Sequence, residues 1–175
     1  MTTVFISISC ADRVGLVSEI TSHLFDLGLN LGDTTFAVLG GGAEFSTICE
    51  LTEDTTLDSV RTELTTMAVL RDAEITVMPF DLDFVHAPSA RITHRISVTG
   101  GDRPGLIARL SEVFVQFKAN IVRLNSQIIP EADDYHYSIN ISVSIPEETE
   151  QSCLATVFNT AGEMGLRCSW RAVNG

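Results

Sequence analysis

Lysine occurs once in the 175 residues, at Lys118, and all basic side chains together number eleven against 23 acidic ones. The formal net charge is −12. A chain so short of clustered cations has no footprint for non-specific binding to nucleic acid or to an anionic membrane. Any part in transcription would run through a protein partner. Long apolar runs are missing as well. Met1-Thr2-Thr3 leads straight into Val4-Phe5-Ile6-Ser7-Ile8-Ser9, with no basic leader and no stretch of membrane-spanning length. The expected setting is the cytoplasm. Cys10, Cys49, Cys153 and Cys168 form no C-x-x-C pair, and His23, His86, His94 and His136 are equally dispersed. That pattern argues against a disulfide framework and a zinc site, and for four reduced, mostly buried thiols with no metal or cofactor. Gly40-Gly41-Gly42 lacks the Lys-Ser/Thr of a phosphate loop and reads as a hairpin.

What the chain does have is 45% apolar residues and an internal repeat. Shifted by about 90 residues, Ile6 falls on Ile96, Ser7 on Ser97, Asp12 on Asp102, Arg13 on Arg103, Gly15 on Gly105, Leu16 on Leu106 and Asn30 on Asn120. Four of these identities lie within Asp12–Leu16. Residues 1–80 and 91–175 are therefore two modules, and 81–90, with its proline and small residues, is the linker. In each, alternating apolar residues predict a strand at the start (4–9; 92–99). Helical spacing follows (15–27; 105–117), then two extended stretches (30–39 and 44–51; 120–129 and 135–145). A second helix (57–70; 147–164) and a closing strand (73–80; 166–173) complete the string. The order βαββαβ is ferredoxin-like. The fold class is α+β: two tandem ferredoxin-like modules packed as a pseudo-symmetric pair.

A module of this length, with Asp-Arg-x-Gly-Leu before the first helix and Asn opening the second strand, resembles an ACT domain. Two such modules with no catalytic domain are similar to the glycine cleavage system transcriptional repressor family. The resemblance implies a non-enzymatic regulator that binds a small amino acid, glycine or serine in the first place, where ACT domains meet. It also implies a protein partner such as a transcription activator. The pocket residues it implies are Asp12, Val14, Gly15, Leu16 and Asn30 in the first module. In the second they are Asp102, Pro104, Gly105, Leu106 and Asn120. Arg13 and Arg103 lie within the motif without a ligand role implied for them.

The chemistry of such a loop suits a zwitterion. A helix N-terminus offers unpaired amides and a positive dipole end to a carboxylate, and glycine lets that backbone come close. Asn30 and Asn120 supply both donor and acceptor. No nucleophile–base pair accompanies them, which favours binding over turnover. A second reading stays open. Asp12 and Asp102 also suit helix N-caps, and Pro104 the first helical turn. Val14 and the paired aspartates favour an effector-free interaction or scaffold module. A hydrolase acting on acyl phosphates, using Arg13 or Arg103, is a third and weaker reading.

Charge divides unevenly between the modules. Residues 1–90 carry 14 acidic and 3 basic side chains, a net −11, and residues 91–175 carry 9 and 8, a net −1. Two readings stay open for the first module, an acidic face for a basic partner or a solvated acidic surface that serves solubility, while the second suits self-association. A homodimer is the expected state, since ferredoxin-like modules leave exposed edges and faces.

Overall fold

The computed structural model describes residues 2–83, 85–101, 103–130 and 135–173. The chain divides into two units, Met1–Leu82 and Asp83–Gly175. The first contains β1 (Thr3–Ala11), α1 (Leu16–Asp26), β2 (Asn30–Leu39), β3 (Gly42–Glu50), α2 (Leu57–Thr66) and β4 (Glu74–Pro79). The second repeats the order with β5 (His94–Gly101), α3 (Leu106–Gln116), β6 (Asn120–Pro130), β7 (Tyr135–Ser144), α4 (Glu150–Glu163) and β8 (Arg167–Ala172). Each unit holds one antiparallel four-stranded sheet, in the orders β2-β3-β1-β4 and β6-β7-β5-β8. This is the ferredoxin-like arrangement the periodicity predicts.

Alternation decides which face of each sheet is covered. Val4, Ile6 and Ile8 of β1 are wholly buried, and their cross-strand partners Cys49, Thr47 and Phe45 lie beneath the same helices. Leu16, Ile20 and Leu24 of α1 and Val60 and Leu64 of α2 close this core at helical spacing. The buried Thr47 hydroxyl is satisfied by Thr34 Oγ1 at 2.7 Å. In the second unit Ile96, Val98, Ile139 and Ile141 meet Leu110 and Phe114 of α3 and Leu154 and Val157 of α4.

Two predicted helices are interrupted. The segment 57–70 breaks after Thr66, where Met67 is extended, and resumes as a 3-10 turn over Ala68–Leu70. The segment 147–164 opens with a 3-10 turn at Glu147–Thr149 before α4. Tightening of terminal turns in this way leaves the apolar spacing nearly unchanged, so periodicity does not reveal it. The chain over Pro88–Ala90 also forms a 3-10 turn.

Both second strands contain a bulge close to their start. Leu31 pairs with Cys49 but Thr34 with Thr47, and Ile121 pairs with Val143 but Arg123 with Ser142. One extra residue reverses which face the rest of the strand presents. Arg123, Asn125 and Gln127 therefore point to the face away from the helices, although Ile121 belongs to the buried side.

Candidate functional site

The loops between first strand and first helix follow one plan. Helix α1 is entered through Gly15 at φ +90° and α3 through Gly105 at φ +80°. This left-handed conformation strains any residue with a Cβ, which accounts for glycine at both places. Leu16 N donates to Arg13 O at 3.3 Å and Leu106 N to Arg103 O at 3.2 Å, closing the same turn twice. The first-turn amides beyond it have no helical acceptors and face outward.

Several sequence expectations change here. Asp12 caps nothing: it is exposed, its amide donates to Gly41 O at 3.1 Å, and the capping position belongs to Gly15. The cap and turn use the left-handed glycine where an aspartate side chain was expected. Pro104 precedes the cap and so stands outside the first helical turn. Asp102 lies outside the described residues. Leu16 and Leu106 are 1% and 2% exposed, and their side chains belong to the two cores. Val14 stands fully in solvent.

Asn30 and Asn120 are not near these loops. Asn30 pairs with Glu50, which pairs with Thr3 at the beginning of β1, whereas the loop follows Ala11 at its end. At about 3.3 Å per residue, the length of β1 separates them by about 26 Å. Asn120 likewise opens β6 opposite Ser144, and its Nδ2 donates to Ser89 O at 2.9 Å. Within one module, then, the two halves of the expected constellation do not meet.

What does meet, at the N-terminus of α3, is a set of charges. A shallow depression of about 470 Å³ is lined by Arg103, Pro104, Arg109, Glu163, Met164 and Gly165. Arg103 is steered into it by a hydrogen bond from its Nε to Met164 O at 3.2 Å. Arg109 lies one helical turn beyond Gly105, and Glu163 ends α4. Two guanidinium groups and a helix N-terminus suit a carboxylate, and the Glu163 carboxylate suits an ammonium group. Sequence reasoning passed over Arg109 and Glu163. The first was legible as a cation on the first turn of a helix. The second reaches the loop only through the packing of α4 on α3.

The first module lacks this set. At the place of Arg109 it has Glu19, whose Oε1 lies 3.8 Å from the position a Cβ on Gly15 would take. A carboxylate of its own thus occupies the positive end of α1. The two loops share a backbone and differ in charge.

All four cysteines are free thiols, Cys49 and Cys153 buried and Cys10 and Cys168 half-buried. Burial pushes Cys49 and Cys153 up to about 11 and raises the other two as well. His94 is buried, with Nδ1 3.0 Å from Thr93 Oγ1, Nε2 3.5 Å from Glu150 Oε1 and its ring edge-on to Trp170. His23 joins α1 to Glu63 of α2 at 3.7 Å. No helix among the described residues is long and apolar enough to cross a membrane.

No protein-family model matches the chain, and no curated protein matches it. Solved structures do. An unknown protein from Galdieria sulphuraria overlays with TM-score 0.76 over 99% of both chains at 20% identity. A second structure, assigned provisionally as a glycine cleavage system transcriptional repressor, overlays with TM-score 0.68 over 99% of this chain and 98% of that one at 16% identity. The fold they share is two tandem ferredoxin-like modules. An ACT domain protein from Streptococcus pneumoniae matches 45% of this chain and 89% of its own, with TM-score 0.40 and 19% identity. At these identities the likeness concerns the architecture alone.

Proposed function

We propose that this chain is a non-catalytic regulatory protein whose second ACT module binds a small amino acid, glycine or serine first among them, at the N-terminus of α3. The juxtaposition of Arg103 and Arg109 with Glu163 carries the reading, because it offers both signs of charge at zwitterion scale. The depression is open, so a second copy of the chain completes and covers it, and Asn30 or Asn120 of that copy is the natural source of the missing amide. Binding then changes the affinity for a protein partner only through its difference between the two states of the assembly. The likeness to the provisionally assigned repressor supports a partner in the transcriptional control of glycine cleavage, reached without direct DNA contact.

Thermal unfolding against the twenty amino acids tests this. A ligand at 100 times its Kd adds about 2.7 kcal/mol to stability. One small amino acid should raise the midpoint, with the rise lost in Arg109→Gln and Glu163→Gln and kept in Arg13→Gln. A rise that survives both variants, or no rise with any amino acid, would sink the reading.

The effector-free interaction module remains the second reading, and Glu19 favours it for the first ACT module. Beside it, β2 exposes Phe36, Val38 and Leu39, apolar surface suited to a protein partner. Pull-down by the first module's surface with unchanged affinity across all amino acids would favour this reading over the sensor.

A further inference from the structure

The second module is nearly neutral in sum, but its charge is sorted by face. On the side of its sheet away from the helices, register places Arg123, Ser142, Arg95 and Arg171 in one row across four strands. The next row is Asn125, Asn140, Ser97 and Ser169, and the one after it ends at Arg167 opposite Thr99. Half of the module's eight cations thus stand on one face. No carboxylate occupies any strand position of that face among the described residues, and none of the four guanidinium groups forms an ion pair or hydrogen bond there.

This arrangement works against the fold. Arg95 and Arg171 are direct cross-strand neighbours, a like-charge pairing that destabilises a sheet. The fold does not require it either. At the equivalent place the first module pairs Phe5 with Met78, and its open face carries Glu44 and Glu74 and no cation at any strand position. Three of the arginines line a concavity of about 460 Å³ floored by the serines and asparagines of the second row. Guanidinium forks bind phosphoryl and carboxylate oxygens in pairs, and amide and hydroxyl groups complete the donor set. The one ring at a strand position of this face, His136, pairs with Gly101, three rows from Arg95, so a nucleic-acid strand finds no run of stacking side chains along the arginines.

We propose that this face is a binding site for a small molecule carrying two or more closely spaced negative charges, held by Arg95, Arg123 and Arg171. The ligand chemistry is phosphoryl or polycarboxylate. The site is separate from the α3 loop, and its ligand needs no ammonium group.

Thermal unfolding and calorimetric titration of the full chain with inorganic phosphate, pyrophosphate and citrate, with chloride at matched ionic strength as reference, test the proposal. Pyrophosphate against citrate separates phosphoryl from polycarboxylate preference. Saturable stabilisation beyond the chloride effect is expected. It should weaken at least tenfold in Arg95→Ser and in Arg123→Ser, each checked for folding by circular dichroism. It should persist in Lys118→Asn, which removes a cation elsewhere, and in Arg109→Gln, which disables the proposed amino-acid loop. A response no larger than that of chloride, or one unchanged in Arg95→Ser and Arg123→Ser, overturns it. So does anion-free self-association by sedimentation velocity that Arg95→Ser abolishes, which would assign the face to a second copy of the chain.

Discussion

Glu19 and Arg109 hold the same place in the two modules, one helical turn past the glycine that opens α1 or α3, and carry opposite charges. At a helix N-terminus the carboxylate is favourable and the guanidinium is not. Glu19→Gln should therefore lower stability and Arg109→Gln raise it, each by about 0.3–1 kcal/mol at low ionic strength. Urea midpoints at low and high salt check this. Equal signs for the two variants would show that the dipole is not what separates the loops.

Backbone conformation and packing separate two glycines. Gly105 at φ +80° has open space where a Cβ would go, so Gly105→Ala should cost about 1–2 kcal/mol through backbone strain alone. Gly100, at φ +153°, would bring a Cβ to 2.5 Å from Leu166 Cδ2. Gly100→Ala should cost more, and Leu166→Ala introduced beside it should recover part of the packing loss. A denaturation series of the three variants distinguishes the two causes.

Helix α2 begins with a reciprocal cap: Ser59 N donates to Thr56 Oγ1 at 3.1 Å and Thr56 N to Ser59 Oγ at 2.9 Å. Thr56→Ala should cost about 1 kcal/mol. Amide exchange of the first turn of α2 should quicken in that variant while α1 and β1 are unaffected.

Cys49 and Cys153 should resist thiol reagents at neutral pH until the chain unfolds, because burial disfavours their thiolates. The same shift sets a pH dependence. With folded values near 11 against an ordinary 9.0, the unfolded chain loses these protons first. Their contribution to stability is whole below pH 9 and is lost as pH rises toward 11. Denaturant midpoints across that window should fall less in a Cys49→Ala, Cys153→Ala double variant than in the wild type.

The linear order of residues determined the two-module organisation and the order βαββαβ within each module. Apolar periodicity is a local property, and Val4-Ile6-Ile8 or Leu16-Ile20-Leu24 must bury together wherever they sit. Asp-Arg-x-Gly-Leu at both helix starts also marked the loops, since only glycine takes the left-handed turn there. Tertiary structure alone decided which residues come together at the candidate sites. Leu16 and Leu106 turned inward, Asn30 and Asn120 fell at the far end of their strands, and α4 carried Glu163 to the α3 loop. A single extra residue after Ile121 reversed the face of β6 and set Arg123 in line with Arg95 and Arg171. Such placements depend on strand register and helix packing, which join residues distant in the chain and leave no period in the sequence.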